Sequence, residues 1–244
     1  NRRGPRKKVA KKVAKKVTGM NDNAKRMAAA AAVEMVDEGM RLGIGTGSTA
    51  EQFIILLGQR VQAGLSVIGV PTSDRSAALC HELGIALTTL DETPTLDLAV
   101  DGADEFDPAL NLIKGGGGAL LREKIVAGSA NRLVVIADAS KQVAVLGAFP
   151  LPVEIIPMAR QPIAQRLAAL GATVTLRTNP AGAPFRTDEG HWILDGDFGP
   201  AISDPAGLAR DLSSWPGVVE HGLFCGMAEC VLLGTEDQVT IVTT

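Results

Sequence analysis

Strand-like apolar runs alternate with helix-like segments along residues 24–148, and a strand-helix-strand-strand-helix-strand order follows along residues 149–225. The alternation predicts an α/β fold, a Rossmann-like and mostly parallel sheet with helices on both faces. The second pattern predicts a smaller ferredoxin-like α/β domain beside it.

Asn21, Asp22 and Asn23 offer N-caps for an Ala-rich helix over residues 24–37 that Gly39 ends, and residues 41–45 read as a short buried strand. Further strands are expected at 66–70, 96–100 and 133–137, with helices at 50–63, 75–83 and 119–127 between them. Beyond Phe149 the expected elements are a strand at 153–156, a helix at 161–170, strands at 173–177 and 191–194, a helix at 205–213 and a strand at 218–223. Strands at 230–233 and 239–242 return the chain to the large sheet. The expected division is a basic extension over 1–19, a large domain over 20–148 and 226–244, and a small one over 149–225.

The chain has 244 residues, 46% of them hydrophobic, which is enough to bury a substantial core. Its longest apolar stretches, 27–33 and 133–137, fall far short of the roughly 20 residues that span a bilayer, so a soluble protein with no membrane partner is expected. The net charge of −3 conceals an asymmetry. Residues 1–19 hold 9 of the 24 Lys and Arg and none of the 27 Asp and Glu, which leaves residues 20–244 at −12. An acidic body with no Tyr and 3% aromatic residues offers neither the basic face nor the stacking platforms of a nucleic-acid binder. An anionic ligand would need a local site.

The basic arm repeats Lys-Lys-Val-Ala between Lys7 and Val17 and reads as a solvated, disordered extension rather than a nucleic-acid or membrane-surface arm. It has neither the apolar segment of a secretory signal nor the Ser of a transit peptide until Met20, which reads as an original start with 1–19 an upstream addition. Cys80, Cys225 and Cys230 form no CxxC pair, and His81, His191 and His221 have no metal-ligand spacing. Free thiols in a reducing cytoplasm, and no metal, are expected.

Four candidate segments fall at the carboxyl ends of expected parallel strands, the edge where open α/β sheets bind ligands: Thr46–Thr49, Thr72–Ser73, Asp101–Asp104 and Asp138–Lys141. The first joins a strand to a helix, so its backbone N–H groups and hydroxyls suit a phosphate. It lacks the third glycine and the following acid of a dinucleotide fingerprint, and the Gly-Lys-Ser/Thr of Walker A, which favours a small phosphorylated metabolite over NAD or ATP. A structural Gly-rich turn is the alternative. Asp101, Asp104 and Glu105 place carboxylates at a strand end, where a solvated acidic turn is equally open. Against the bland reading stands Lys114 followed by Gly115, Gly116, Gly117 and Gly118 before a helix, a conformationally costly run best explained by close backbone contact with a ligand. Glu123 falls in the first turns of that helix, where the dipole favours an ionised carboxylate. Spacing alone leaves it either a general base or a surface charge paired with Arg122 or Lys124.

Together Asp101-Gly-Ala-Asp-Glu105, Ile113-Lys-Gly-Gly-Gly-Gly-Ala-Leu-Leu-Arg-Glu-Lys-Ile-Val126 and Ala137-Asp-Ala-Ser-Lys141 resemble the A-type ribose-5-phosphate isomerases. Gly45-Thr-Gly-Ser-Thr49 and Pro216-Gly-Val-Val-Glu-His-Gly-Leu-Phe224 extend the resemblance over about residues 20–244. It implies an enzyme that interconverts ribose 5-phosphate and ribulose 5-phosphate through an enediolate, without cofactor or metal, as a cytoplasmic homodimer or homotetramer. It further implies that Glu123 is the proton acceptor, that Asp101, Gly102, Ala103, Asp104 and Lys114 line the sugar, and that Lys114 with Gly115, Gly116 and Gly117 stabilises the oxyanion. Thr46, Gly47, Ser48 and Thr49, with Lys141 and Lys25, would hold the phosphate. The stretch 185–195 departs from the family pattern, with Glu189-Gly-His191 where Asn-Gly-Asn is usual. The rival readings are a sugar-phosphate sensor, an amino-sugar phosphate isomerase-deaminase and a CoA transferase. The chain lacks a helix-turn-helix for the first, a catalytic His in the required context for the second and a distinct Glu motif for the third.

Overall fold

The computed structural model describes residues 22–199 and 201–244, so the expectations for the basic arm, Met20 and Asn21 lie outside the described residues. Strands β1 (Arg41–Ile44), β2 (Ile68–Pro71), β3 (Ala86–Leu87), β4 (Leu98–Asp101), β7 (Leu133–Asp138), β13 (Cys230–Gly234) and β14 (Val239–Val242) form one sheet in the order β14-β13-β7-β4-β1-β2-β3. Every neighbouring pair is parallel except β13 with β14.

Alternating side chains sort onto two cores, as the period-2 geometry of strands requires. Leu98, Val100, Val134, Ile136 and Leu232 face α1 (22–33), α2 (Ser48–Gln62) and α3 (Asp74–Glu82), where Ala28, Ala32, Phe53, Ile54, Leu57 and Cys80 are buried. Ala99, Val135, Ala137, Val231 and Leu233 pack on the opposite face against Ala127 of α4 (Leu120–Gly128), Phe106 and Phe224. The sheet therefore carries helices on both faces. Helix α1 stops at residue 33 rather than 37 because Arg60 of α2 donates to the carbonyls of Val33, 2.6 Å, and Val36, 2.9 Å, which satisfies the open helix end from outside.

The second half follows β8 (Leu151–Ile155), α5 (Arg160–Ala169), β9 (Thr173–Leu176), β10 (Trp192–Asp197), α6 (Pro205–Ser213) and β11 (Val218–His221). Its four strands form an antiparallel sheet in the order β11-β8-β10-β9, the arrangement expected of a ferredoxin-like unit, over its own core of Val153, Ile155, Ile163, Leu167, Leu194 and Leu212.

A third sheet was not apparent from the sequence. Strands β5 (Glu105–Phe106), β6 (Leu112–Ile113) and β12 (Leu223–Phe224) pair antiparallel in the order β12-β6-β5. The strand expected over 218–223 thus divides at Gly222, where the chain leaves the small sheet. The Gly222 N–H donates to Pro152 O and its carbonyl accepts from Lys114 N, both at 2.8 Å, and a Cβ there would lie 2.3 Å from Lys114 O. This miniature sheet sets the positions of Asp104 and Lys114. No helix among the described residues is long and apolar enough to cross a membrane.

Candidate active site

The carboxyl ends of β1, β4 and β7 and the glycine run before α4 surround a cleft of about 100 Å³. On one wall Gly47, with φ of 107°, turns the chain into α2, whose first N–H groups have no partner within the helix. Thr46, Gly47, Ser48 and Thr49 all line the cleft at this positive helix end. Lys25 reaches Ser48 Oγ from α1 at 3.0 Å, although it does not itself line the cleft. Lys141 enters the cleft from a 3-10 turn, Ala139–Lys141, that Asp138 caps by accepting from Ser140 N at 2.9 Å.

Thr72 and Ser73, one of the four candidate segments, are buried behind this wall instead of lining it. Thr46 Oγ1 lies 2.7 Å from Thr72 Oγ1, 2.8 Å from Ser73 Oγ and 3.2 Å from Ser76 Oγ, and Ser76 Oγ donates to Gly45 O at 2.8 Å. These hydroxyls tie the turn after β1 to the start of α3. Arg75, two residues beyond Ser73, points to Glu51 at the surface.

Opposite lies a buried cluster of charge. Asp101 Oδ1 accepts from the N–H groups of Thr46, 3.0 Å, and Gly102, 2.7 Å, while Oδ2 lies 3.1 Å from Lys114 Nζ. Gly45 is required for this approach, because a Cβ there would sit 2.2 Å from Asp101 Oδ1. Asp101 therefore stands one layer behind the cleft wall. Lys114 Nζ also donates to Gly102 O at 2.6 Å and lies 3.4 Å from Glu123 Oε2. Gly102, Ala103, Asp104, Lys114, Gly115, Gly116, Gly117 and Glu123 all face the cleft. Asp104 accepts from Gly116 N at 2.7 Å, and a Cβ on Gly116 would meet Asp104 Oδ1 at 2.7 Å.

Glu123 is 5% exposed, and its Oε2 has no hydrogen-bond partner despite the nearby lysine. Burial, reinforced by the charges of Asp101 and Asp104 and opposed by Lys114, pushes its carboxyl up to about 8. The helix dipole is therefore outweighed. Burial raises Asp101 too, against Lys114 and two backbone donors. With Lys114 at 3.4 Å and no backbone donor on its Oε2, the Glu123 anion is the less stabilised of the two. Burial opposes the charge on Lys114, but Asp101 and Glu123 together raise it, so the ammonium stays charged. The arrangement places a protonatable carboxyl, a fixed cation and convergent N–H groups around one space, the elements that proton abstraction beside a carbonyl requires.

The family model described as Ribose 5-phosphate isomerase A (phosphoriboisomerase A) matches residues 68–238. The chain belongs to the ribose-5-phosphate isomerase A family. A relative from Nitrobacter hamburgensis, named Ribose-5-phosphate isomerase A, is 54% identical over 227 residues, covering 91% of this chain and 97% of that one. The ribose 5-phosphate isomerase A structure from Methanocaldococcus jannaschii superposes with a TM-score of 0.88 at 42% identity, covering 92% of this chain and 100% of that one. A D-ribose-5-phosphate isomerase solved in complex with phospho-erythronic acid gives 0.88 at 40% identity over 91% of this chain and 98% of that one.

In this member of the ribose-5-phosphate isomerase A family, the stretch that departs from the usual pattern is used structurally. Glu189 accepts from Arg122 Nε at 2.5 Å, and His191 Nδ1 lies 3.0 Å from the buried Glu154. Sequence reasoning missed Arg177, which reaches the glycine run from the end of β9, and Asp195 of β10, which holds Arg177. Arg177 lies 62 residues from Gly115 and 61 from Gly116 along the chain, and no local pattern connects them.

Proposed function

We propose that this chain interconverts ribose 5-phosphate and ribulose 5-phosphate in the cytoplasm, with Glu123 moving one proton between C2 and C1. The observation that carries the reading is the buried Glu123 carboxyl, held near neutrality beside Lys114 and facing the same cleft as the phosphate-suited turn.

The phosphate sits at the start of α2 on Thr46, Gly47, Ser48 and Thr49, with Lys141 and Lys25 supplying positive charge. Asp104, with one oxygen held by Gly116 N, assists ring opening and carries the proton between the two sugar oxygens. Ionised Glu123 takes the C2 proton. The C2–H electron pair forms the C1–C2 double bond, and the C1 carbonyl pair moves onto oxygen. Lys114 and the N–H groups of the glycine turn stabilise that oxyanion. The proton from O2 passes to O1, Glu123 returns its proton to C1, and a C2 carbonyl results. No electron leaves the substrate, so the balance requires no redox partner. Positioned proton transfer of this kind contributes roughly 10²–10⁴-fold in rate. Asp101 acts from behind by holding Lys114 and the N–H of Thr46.

The direct test is conversion of ribose 5-phosphate by the purified chain in EDTA. Ribulose 5-phosphate formation is expected to survive chelation. Binding of ribose 5-phosphate without turnover would replace the isomerase by a sugar-phosphate sensor.

A further inference from the structure

We propose that Arg177, clamped by Asp195, is a positioning residue that aims the Gly117 N–H into the cleft. The inference rests on the isomerase reading above.

Gly115 to Gly118 form a turn closed by Gly118 N donating to Gly115 O at 2.9 Å. From outside the cleft, Arg177 Nη1 donates to the carbonyls of Gly115, 2.8 Å, and Gly116, 3.2 Å. In a trans peptide the N–H points opposite to the carbonyl. With Gly116 O drawn toward Arg177, the Gly117 N–H faces the other way, and Gly117 lines the cleft, where an added Cβ would lie 3.9 Å from Thr46 Cγ2. That N–H makes no hydrogen bond among the described residues, whereas the neighbouring Gly116 N–H is already committed to Asp104.

The guanidinium is itself fixed. Its Nε and Nη2 grip both oxygens of Asp195 at 2.9 and 2.5 Å, a fork that lysine does not reproduce. The Phe185 ring lies 5.9 Å below the guanidinium and against Gly118, where a Cβ would meet it at 2.6 Å. A glycine run is conformationally free by composition. The small sheet removes that freedom, and the donor set that stabilises the enediolate oxygen is thereby partly built from residues of the second half of the chain.

The test compares Arg177→Ala with the parent, using ribose 5-phosphate turnover, KM and chemical rescue. Deleting an oxyanion donor outright costs roughly 10²–10³-fold, and a donor that is only mis-aimed costs less, so kcat should fall about 10- to 100-fold. KM should change little, because the phosphate turn belongs to other elements. Guanidinium ion added to the assay should restore part of kcat, and methylammonium should not. A folded Arg177→Ala with parental kcat, or a kcat loss that guanidinium leaves untouched, overturns the proposal. If Arg177→Ala does not fold, Arg177→Lys decides: a reduced kcat at parental KM is expected, and parental kcat refutes the role. Parental turnover in the same assay tests the isomerase reading separately.

Discussion

Replacing Glu123 by Gln should stabilise the protein while removing its activity. A carboxyl held at about 8 in the folded chain and at its ordinary 4.5 in the unfolded chain binds its proton more tightly when folded. Its contribution to stability is therefore fully present below about pH 4.5 and is lost as the pH rises toward 8. At about 1.4 kcal/mol per pH unit, the forfeited stability is about 3 kcal/mol at pH 7 and levels off above pH 8. Gln is neutral and nearly isosteric, so it escapes this loss, and Lys114 keeps Asp101 and the Gly102 carbonyl as partners. Urea unfolding of parent and Glu123→Gln at pH 5, 7 and 9 measures the difference. The variant's advantage should be small at pH 5, about 3 kcal/mol at pH 7 and larger at pH 9. A difference that does not vary with pH, or a variant less stable at every pH, would show that Glu123 is not a carboxyl strained by burial.

The base must be ionised, so kcat/KM of the parent should rise with pH through a midpoint near 8, and a flat profile between pH 6 and 9 would remove Glu123 from the rate-determining proton transfer. Lys141→Ala should raise KM roughly 10- to 100-fold, the worth of a hydrogen bond to a charged group, at little cost to kcat; a fall in kcat alone would move Lys141 away from the phosphate. Gly116→Ala forces a methyl group against Asp104 Oδ1, and a displacement of that size should lower kcat about 10²-fold; unchanged kinetics would mean that Asp104 is free to move.

Periodicity carried most of the fold, because β4, β7 and β13 are continuous buried runs and α6 was bounded by Pro205 and Ser213 at its actual ends. Two-residue strands such as Glu105–Phe106 and Leu112–Ile113 carry no period to detect, and they arise only when distant segments meet. At the site, local motifs located the turn after β1, the acidic turn and the glycine run that line the cleft. They could not reveal depth. Asp101 lies behind the wall because Gly45 admits it there, and the high proton affinity of Glu123 comes from burial, a property of the assembled fold that overrides the helix dipole legible in the chain. The clamp of Arg177 and Asp195 is likewise a product of topology alone.

Turnover of ribose 5-phosphate by Glu123→Gln, with binding of ribose 5-phosphate measured on the same preparation, decides whether Glu123 is the base. The predicted result is undiminished binding with no detectable ribulose 5-phosphate. Near-parental turnover by a variant that binds normally would contradict the assignment of Glu123 as the base.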